Sequence, residues 1–399
     1  RLVLSPLRQH CQSILAKQPA NRMLALDALR GLAILAMILV NNPGSWQYVY
    51  PPLLHAEWHG WTPTDLIFPA FLVMVGMAIP YSLAGRQTLP KAEQIRQGAI
   101  RALKLYLLGL FLVLFYYNFR DPNYSYLQQK LLTVRWSGVL QRIGIVYFCT
   151  LLIVLYSGTR GRIVWLSGLC LLYFLLMQFV PYRDNYGHTF VGLWEHGNNL
   201  AAWLDHHVLG PNHVFFRSAT PFAFDPEGIL STLPAIASCL SGVLMAQLLQ
   251  SKAELAFKLR VLFLAGLAAI WVAELAHPAL PINKMLWTPT FVLLSSGFTA
   301  LILGLFLWLT EMKRYRLWTA PLLVFGVNAI LFFMLAGVAA RVLSMVPVAG
   351  TTLGNWLYRS TFQPLFGDYN GSLAYAICFL LLSYIGMLYC YRRGWIFKV

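Results

Sequence analysis

The feature that most constrains this chain is the recurrence of apolar runs about 20 residues long between residues 27 and 391. A helix needs roughly 17 to 25 mostly apolar residues to cross a hydrocarbon core of about 30 Å, where each backbone N–H and C=O must be satisfied within its own segment. Ten segments meet that requirement: 27–46, 63–84, 95–117, 137–157, 162–180, 226–249, 256–276, 287–309, 318–341 and 372–391. The expected fold is all-α, a polytopic membrane helix bundle of about ten transmembrane helices. Of the 399 residues only 11% are charged, where a soluble domain carries about 25%. No stretch is left for a separate soluble domain, so 27–391 reads as one bundle between an N-terminal segment, 1–26, and a basic tail, 392–399. Residues 185–215 hold weaker apolar patches and read as amphipathic pieces of a loop.

A net charge of +16 would point to nucleic acid in a soluble protein. Here most cations flank the apolar runs, where they set topology instead. With the N-terminus placed inside, the inner segments carry 21 Lys and Arg and the outer ones 8, so both termini are expected in the cytoplasm and no nucleic-acid partner is expected. Eight of the nine histidines, all but His10, then fall on outer loops or outer helix ends. Any chemistry should therefore face outward. Four of the six cysteines lie inside apolar runs and none forms a CxxC motif, which supports neither a disulfide framework nor a zinc ribbon.

The first outer loop gathers Asn41, Asn42, His55, Glu57, Trp58, His59 and Trp61 without a Lys or Arg. Thr62-Pro63-Thr64-Asp65 then reads as a helix start, with a cap, a proline in the first turn and a carboxylate three residues after the cap. Capping is the plainer role for Asp65; orienting a histidine and fixing its tautomer is the functional alternative. Two histidines without a third ligand do not make a zinc site, and no metal is expected. Asp205-His206-His207 with His213 reads as a solvated loop. Asp225-Pro226-Glu227-Gly228 repeats the cap, proline and acid order at the start of span six. Spans two, six and eight all begin on the outer side, so their positive dipole ends can converge on one pocket. Arg142 lies inside span four, where an arginine is costly and calls for a partner; Glu227 is the candidate. Asp27 and Arg30 can pair across one turn at the inner end of span one, or Arg30 can meet an anionic cofactor. Lys284 is the single cation of its outer loop and either binds an acidic group or snorkels.

Taken in order, these residues resemble the transmembrane acyltransferase family of heparan-α-glucosaminide N-acetyltransferase and its bacterial relatives. The likeness is carried by Asp27-Ala28-Leu29-Arg30-Gly31, Asn41, the block HAEWHGWTPTDLIFPAF from His55 to Phe71, GVLQRIG at 138–144, DPEG at 225–228, INKMLW at 282–287 and GVNAIL at 326–331. It runs from about residue 23 to 391. The resemblance implies transfer of an acetyl group from cytoplasmic acetyl-CoA, a co-substrate, to the amine of an amino sugar on the periplasmic (luminal) side, in a bacterial inner membrane. The family's histidine in His-Ala-x-Trp matches His55, as general base or acetyl-carrying nucleophile. Its asparagine matches Asn41, or Asn42 given a longer loop here. Asp65 would hold the imidazole, Arg30 and Arg142 would meet the coenzyme, and Trp58, His59, Glu227, Asn283 and Lys284 would face the acceptor. The resemblance also implies a homodimer among membrane lipids.

His59 stands where the family's lysosomal member commonly has Asn, and that member's large luminal segment before its first span has no counterpart in this sequence. A small amino sugar such as glucosamine is the expected acceptor. The rival reading is a secondary transporter for N-acetylglucosamine or a related sugar, which ten spans suit and the lack of an internal repeat opposes.

Overall fold

The computed structural model describes residues 4–18 and 23–396. Arg1, Arg22 and Lys398, which enter the charge count, lie outside the described residues. Helix α1 (Leu4–Ala16) precedes α2 (Leu24–Asn41), and a 3-10 turn at Pro63–Leu66 leads into α3 (Ile67–Ala84). Then come α4 (Lys91–Leu114), α5 (Val139–Tyr156) and α6 (Thr159–Phe179). A long connection holds the antiparallel pair β1 (Tyr182–Arg183) and β2 (Thr189–Phe190) and the helix α7 (Leu200–Val208). It is followed by α8 (Thr232–Gln250), α9 (Leu255–Ala276), α10 (Pro289–Leu307), α11 (Ala320–Val327) and α12 (Ala329–Met345). The pair β3 (Pro347–Val348) and β4 (Thr351–Thr352), the short helices α13 (Leu353–Leu357) and α14 (Gln363–Phe366), and α15 (Asp368–Arg392) complete the chain.

Among the described residues nine helices are long and apolar enough to cross a membrane, and they coincide with nine of the ten expected segments. The remaining segment, 318–341, is not one straight span. It breaks at Asn328, where α11 with its leading turn meets α12 at 70°. Asn328 is buried and its amide donates to Trp395 O at 2.8 Å. A polar side chain anchored by a distant part of the chain thus occupies the point where the backbone leaves the helix.

The spans form two shells. More than half of the apolar window is buried in α2, α3, α5, α8 and α10, and less than a quarter in α4, α6, α9 and α15. Reciprocal glycines set the closest approaches. A Cβ on Gly76 of α3 would strike Cys239 O of α8, and one on Gly242 of α8 would strike Val73 O of α3. The same exchange joins α2 to α11, because side chains on Gly31 and Gly326 would meet Leu322 O and Asp27 O. Lipid tails are as apolar as leucine, so close backbone contact of this kind is what draws such helices together.

The connections at one end of the bundle interlock. Gly44 N donates to Ser372 O at 3.1 Å, Trp58 Nε1 to Trp194 O at 2.8 Å and Asn283 Nδ2 to Trp58 O at 2.8 Å, while the His213 ring reaches Val134 O at 2.7 Å. This loop-rich end has its own apolar core around Tyr173, Met177, Tyr182, Leu200, Phe222 and Phe224. The expectation of amphipathic loop pieces over 185–215 understates it: α7 is capped by Asn199, whose Oδ1 accepts from Ala202 N at 2.8 Å, and it buries Leu200, Ala201 and Ala202 in that core.

Candidate functional site

The segment from Asn42 to Trp61 folds over the loop-rich end and brings His55 back to the start of α3. His55 Nδ1 lies 2.7 Å from Asp65 Oδ1. The other oxygen of Asp65 accepts from Ala56 N and Thr62 N, both at 3.0 Å. Asp65 therefore both caps the turn and orients the histidine, one oxygen for each task. A carboxylate can only accept, so Nδ1 carries the proton and Nε2 keeps the lone pair. The His55 side chain is 40% exposed and that of Asp65 is 1% exposed, so the carboxylate is locked while the imidazole remains accessible.

Lys284 closes this pair. Its Nζ lies 3.1 Å and 3.4 Å from the two ring nitrogens of His55 and 3.7 Å from Asp65 Oδ1. The acidic group nearest this lysine is thus one of the chain's own. Burial holds the amine below the ordinary lysine range, against the attraction of Asp65 and Glu227.

The loop carrying Lys284 is fixed by Asn283, which is fully buried. Asn283 Oδ1 accepts from Leu286 N at 2.9 Å, and its Nδ2 donates to Trp58 O and faces His59 Nδ1 at 3.3 Å. Both ends of that amide are thus taken by the chain. Trp287 sits at φ 52°, a left-handed conformation rare for a bulky residue. Its Nε1 donates to Ser238 Oγ at 3.0 Å and its ring lies under the Arg142 guanidinium at 5.4 Å. Trp58 packs against His196 and Phe224 in the cap. Burial, and then the charge of nearby His277, lower the pKa of His59.

Three expectations need correction. The DPEG stretch does not start a helix, since α8 begins at Thr232. Asp225 instead receives Arg135 Nε at 2.6 Å and Arg135 Nη2 at 2.7 Å, a two-point clasp, and also accepts from Glu227 N at 2.9 Å. Nor is Glu227 the hydrogen-bond partner of Arg142, because it is held by Arg135 Nη2 at 2.5 Å. Arg142 Nη2 donates to Gly228 O at 2.9 Å and Ser231 Oγ at 2.5 Å, leaving Nε and Nη1 buried without a hydrogen-bond partner among the described residues. Finally, Asp205 is not part of a solvated loop. It is 2% exposed and accepts from Asp225 N at 3.1 Å and Ile229 N at 2.9 Å. Burial pushes its carboxyl up to about 7. The neighbouring histidines serve the cap, with His206 Nδ1 accepting from Ala223 N at 3.2 Å and His207 Nδ1 2.8 Å from Trp203 O.

Asp65 lies in the turn before α3 and Lys284 in the loop before α10, where the charge of Glu227 is also felt. Arg135 was legible only as a topological charge, and nothing local in the sequence marks it as the clasp of DPEG. Asn41 is exposed at the end of α2, and Asn42 Nδ2 is occupied by Ile38 O at 2.7 Å. Toward the opposite end, Arg30 Nη1 donates to Asp27 Oδ1 at 3.1 Å. Among the described residues no group of three or more His, Cys, Asp or Glu is placed to hold a metal ion.

A family profile described as heparan-alpha-glucosaminide N-acetyltransferase, catalytic, matches residues 22–282. Over 374 residues the chain is 29% identical to the heparan-alpha-glucosaminide N-acetyltransferase of Mus musculus, covering 82% of this chain and 55% of that protein. Against the human protein of the same name it is 28% identical over 358 residues, 78% of this chain and 52% of the relative. The chain spans about half the length of the curated relatives it matches. The profile takes in His55, Asp65, Arg135, Arg142 and Glu227 and stops two residues short of Lys284.

Proposed function

Because the chain belongs to the heparan-α-glucosaminide N-acetyltransferase catalytic family, we propose that it is a transmembrane N-acetyltransferase that transfers the acetyl group of acetyl-CoA to the amine of a small amino sugar, releasing free coenzyme A. In this reading 27–391 is the acyltransferase bundle of a bacterial inner-membrane protein. The loop-rich end faces the periplasm, and the coenzyme enters from the cytoplasm, where the excess of Lys and Arg also puts both termini.

The observation that carries the proposal is the contact of His55 with Asp65 and Lys284. Asp65 holds the imidazole by Nδ1 and leaves Nε2, 3.4 Å from Lys284 Nζ, as the nitrogen with which His55 can take the proton that an amino-sugar ammonium must lose before its nitrogen attacks. The imidazolium formed in that step lies against the Asp65 carboxylate, which offsets its charge. Lys284 and the exposed amide of Asn41 are the donors proposed for negative charge developing on the acyl oxygen. Glu227 and His59 border the same region and are proposed to bind the sugar.

A coenzyme inside the bundle needs fixed donors for its oxygens. The residues fit that requirement at Arg142, whose Nε and Nη1 are buried beside Trp287 without a hydrogen-bond partner among the described residues. Arg142 would hold the arm of acetyl-CoA and Arg30 its anionic end; when bound, the coenzyme supplies an acetyl group activated as a thioester.

Mass spectrometry of the products from detergent-purified protein, acetyl-CoA and glucosamine tests this, with His55→Ala in parallel. The native protein should yield N-acetylglucosamine and free coenzyme A, and the variant neither, while keeping its thermal transition. Product absent from the native protein across a panel of amino sugars, with sugar uptake into vesicles lacking coenzyme, would replace the enzyme by a transporter.

A further inference from the structure

A cavity of about 400 Å³ that His55 does not line opens between the end of α4, the turn carrying Lys130, the segment at Val214–Arg217 and α12. Its lining includes Lys130, Arg135, Arg217 and Arg341 and no Asp or Glu. Arg135 is neutralised from behind by Asp225 and Glu227. The other three have no carboxylate partner among the described residues. Arg217 Nη2 donates to Thr133 O at 2.9 Å, Arg341 Nη1 donates to Gly337 O at 2.9 Å, and Lys130 Nζ sits 5.1 Å from the centre of the Tyr116 ring. Backbone carbonyls and a ring face satisfy donors without cancelling charge.

The cations feel one another across this space. Burial, then the charges of Arg341 and Arg217, lower the pKa of Lys130. Like charges converging on a shared, partly closed cavity repel, and a bound anion relieves the repulsion. We infer that the cavity lined by Lys130, Arg217 and Arg341 is an anion site that takes a phosphate group.

Two sources offer that chemistry: a phospholipid headgroup and a free phosphate. The turn carrying Lys130 also presents Leu127, Leu131 and Leu132, which are 56%, 45% and 61% exposed. An apolar rim beside a basic cavity at the end of a membrane span suits a lipid whose chains lie along the rim while its phosphate enters the cavity. The inference is independent of the acyl-transfer reading, since its test measures binding.

The experiment is thermal unfolding of the purified full chain in two settings. One is neutral detergent titrated with inorganic phosphate, with sodium chloride at matched ionic strength as control. The other is phosphatidylcholine nanodiscs with and without phosphatidylglycerol. The native protein should unfold at higher temperature with phosphate in at least one setting, and Lys130→Gln/Arg341→Gln should need about tenfold more ligand for the same shift. Arg359→Gln, an exposed cation outside the cavity, should respond as the native protein does. Should the double variant fail to fold, Lys130→Gln alone on its exposed turn gives the same readout. A response to inorganic phosphate assigns a soluble ligand, and one to phosphatidylglycerol alone assigns a lipid. No shift in either setting, or equal shifts in native and variant proteins, overturns the inference.

Discussion

His55 and Asp65, ten residues apart in sequence, meet at 2.7 Å through Nδ1 and Oδ1, and the same carboxylate holds the backbone of the loop that presents the histidine. One side chain thus sets both the tautomer of the imidazole and the position of its loop. A change at Asp65 that keeps the shape but removes the charge should separate these tasks. Asp65→Asn is expected to leave the fold intact and to lower kcat about 10² to 10⁴-fold. A steady-state assay alongside a thermal unfolding curve checks this, and turnover near the native rate would remove Asp65 from the mechanism.

Lys284 sits against His55 with its amine depressed by burial. Lys284→Met keeps the length of the side chain and removes the donor. It should lower kcat by about 10²-fold, the scale associated with one lost donor at a developing oxyanion. The KM for the amino sugar should change much less, and kinetics at varied sugar concentration distinguish this from a role in sugar binding.

Arg142 keeps two buried guanidinium donors without a hydrogen-bond partner among the described residues. Arg142→Gln is expected to raise the KM for acetyl-CoA about tenfold or more while leaving the KM for the sugar near its native value. Initial rates at varied coenzyme concentration provide the test. Equal effects on both substrates would mean that Arg142 acts by holding Gly228 and Ser231.

Asp205 is expected to give the loop-rich end a distinctive pH response. Its carboxyl titrates near 3.8 in an unfolded chain and near 7 in the folded protein, chiefly because it is buried. The folded state therefore binds this proton more tightly. The stabilisation from protonated Asp205 is fully present below pH 3.8 and is lost as the pH rises to about 7. Asp205→Asn, neutral throughout, should flatten that part of the stability profile. Thermal unfolding of both proteins between pH 4 and about 7.5 measures the difference.

The contact between α3 and α8 gives a packing test. Because a Cβ on Gly242 would strike Val73 O, Gly242→Val should destabilise the bundle by about 1 to 3 kcal/mol or more. Gly168 of α6, around which a Cβ would meet nothing, should accept Ala with little change. Unfolding of the two variants in one detergent makes the comparison.

Apolar run length was enough for the sequence to place nine spans, because a helix in lipid must satisfy its own backbone and so leaves a local signature. His55, Asp65 and Asp27 with Arg30 were legible for a similar reason. Each pair is close in sequence; helix geometry brings Asp27 and Arg30 together, whereas for Asp65 the sequence offered capping as the plainer role and the histidine contact as the alternative. The break at Asn328 was not legible, since an apolar run reads the same whether straight or bent, and the amide that marks the break is held by Trp395, 67 residues away. The choice of Arg135 rather than Arg142 as partner of Glu227, 92 residues on, likewise belongs to the tertiary structure. So does the arrival of Lys284 at His55 across 229 residues. Charge and burial decide such pairings jointly, and burial exists only once the helices have packed. The sequence by itself determined that these helices form and which polar residues gather at their ends; three-dimensional packing decided which of those residues touch.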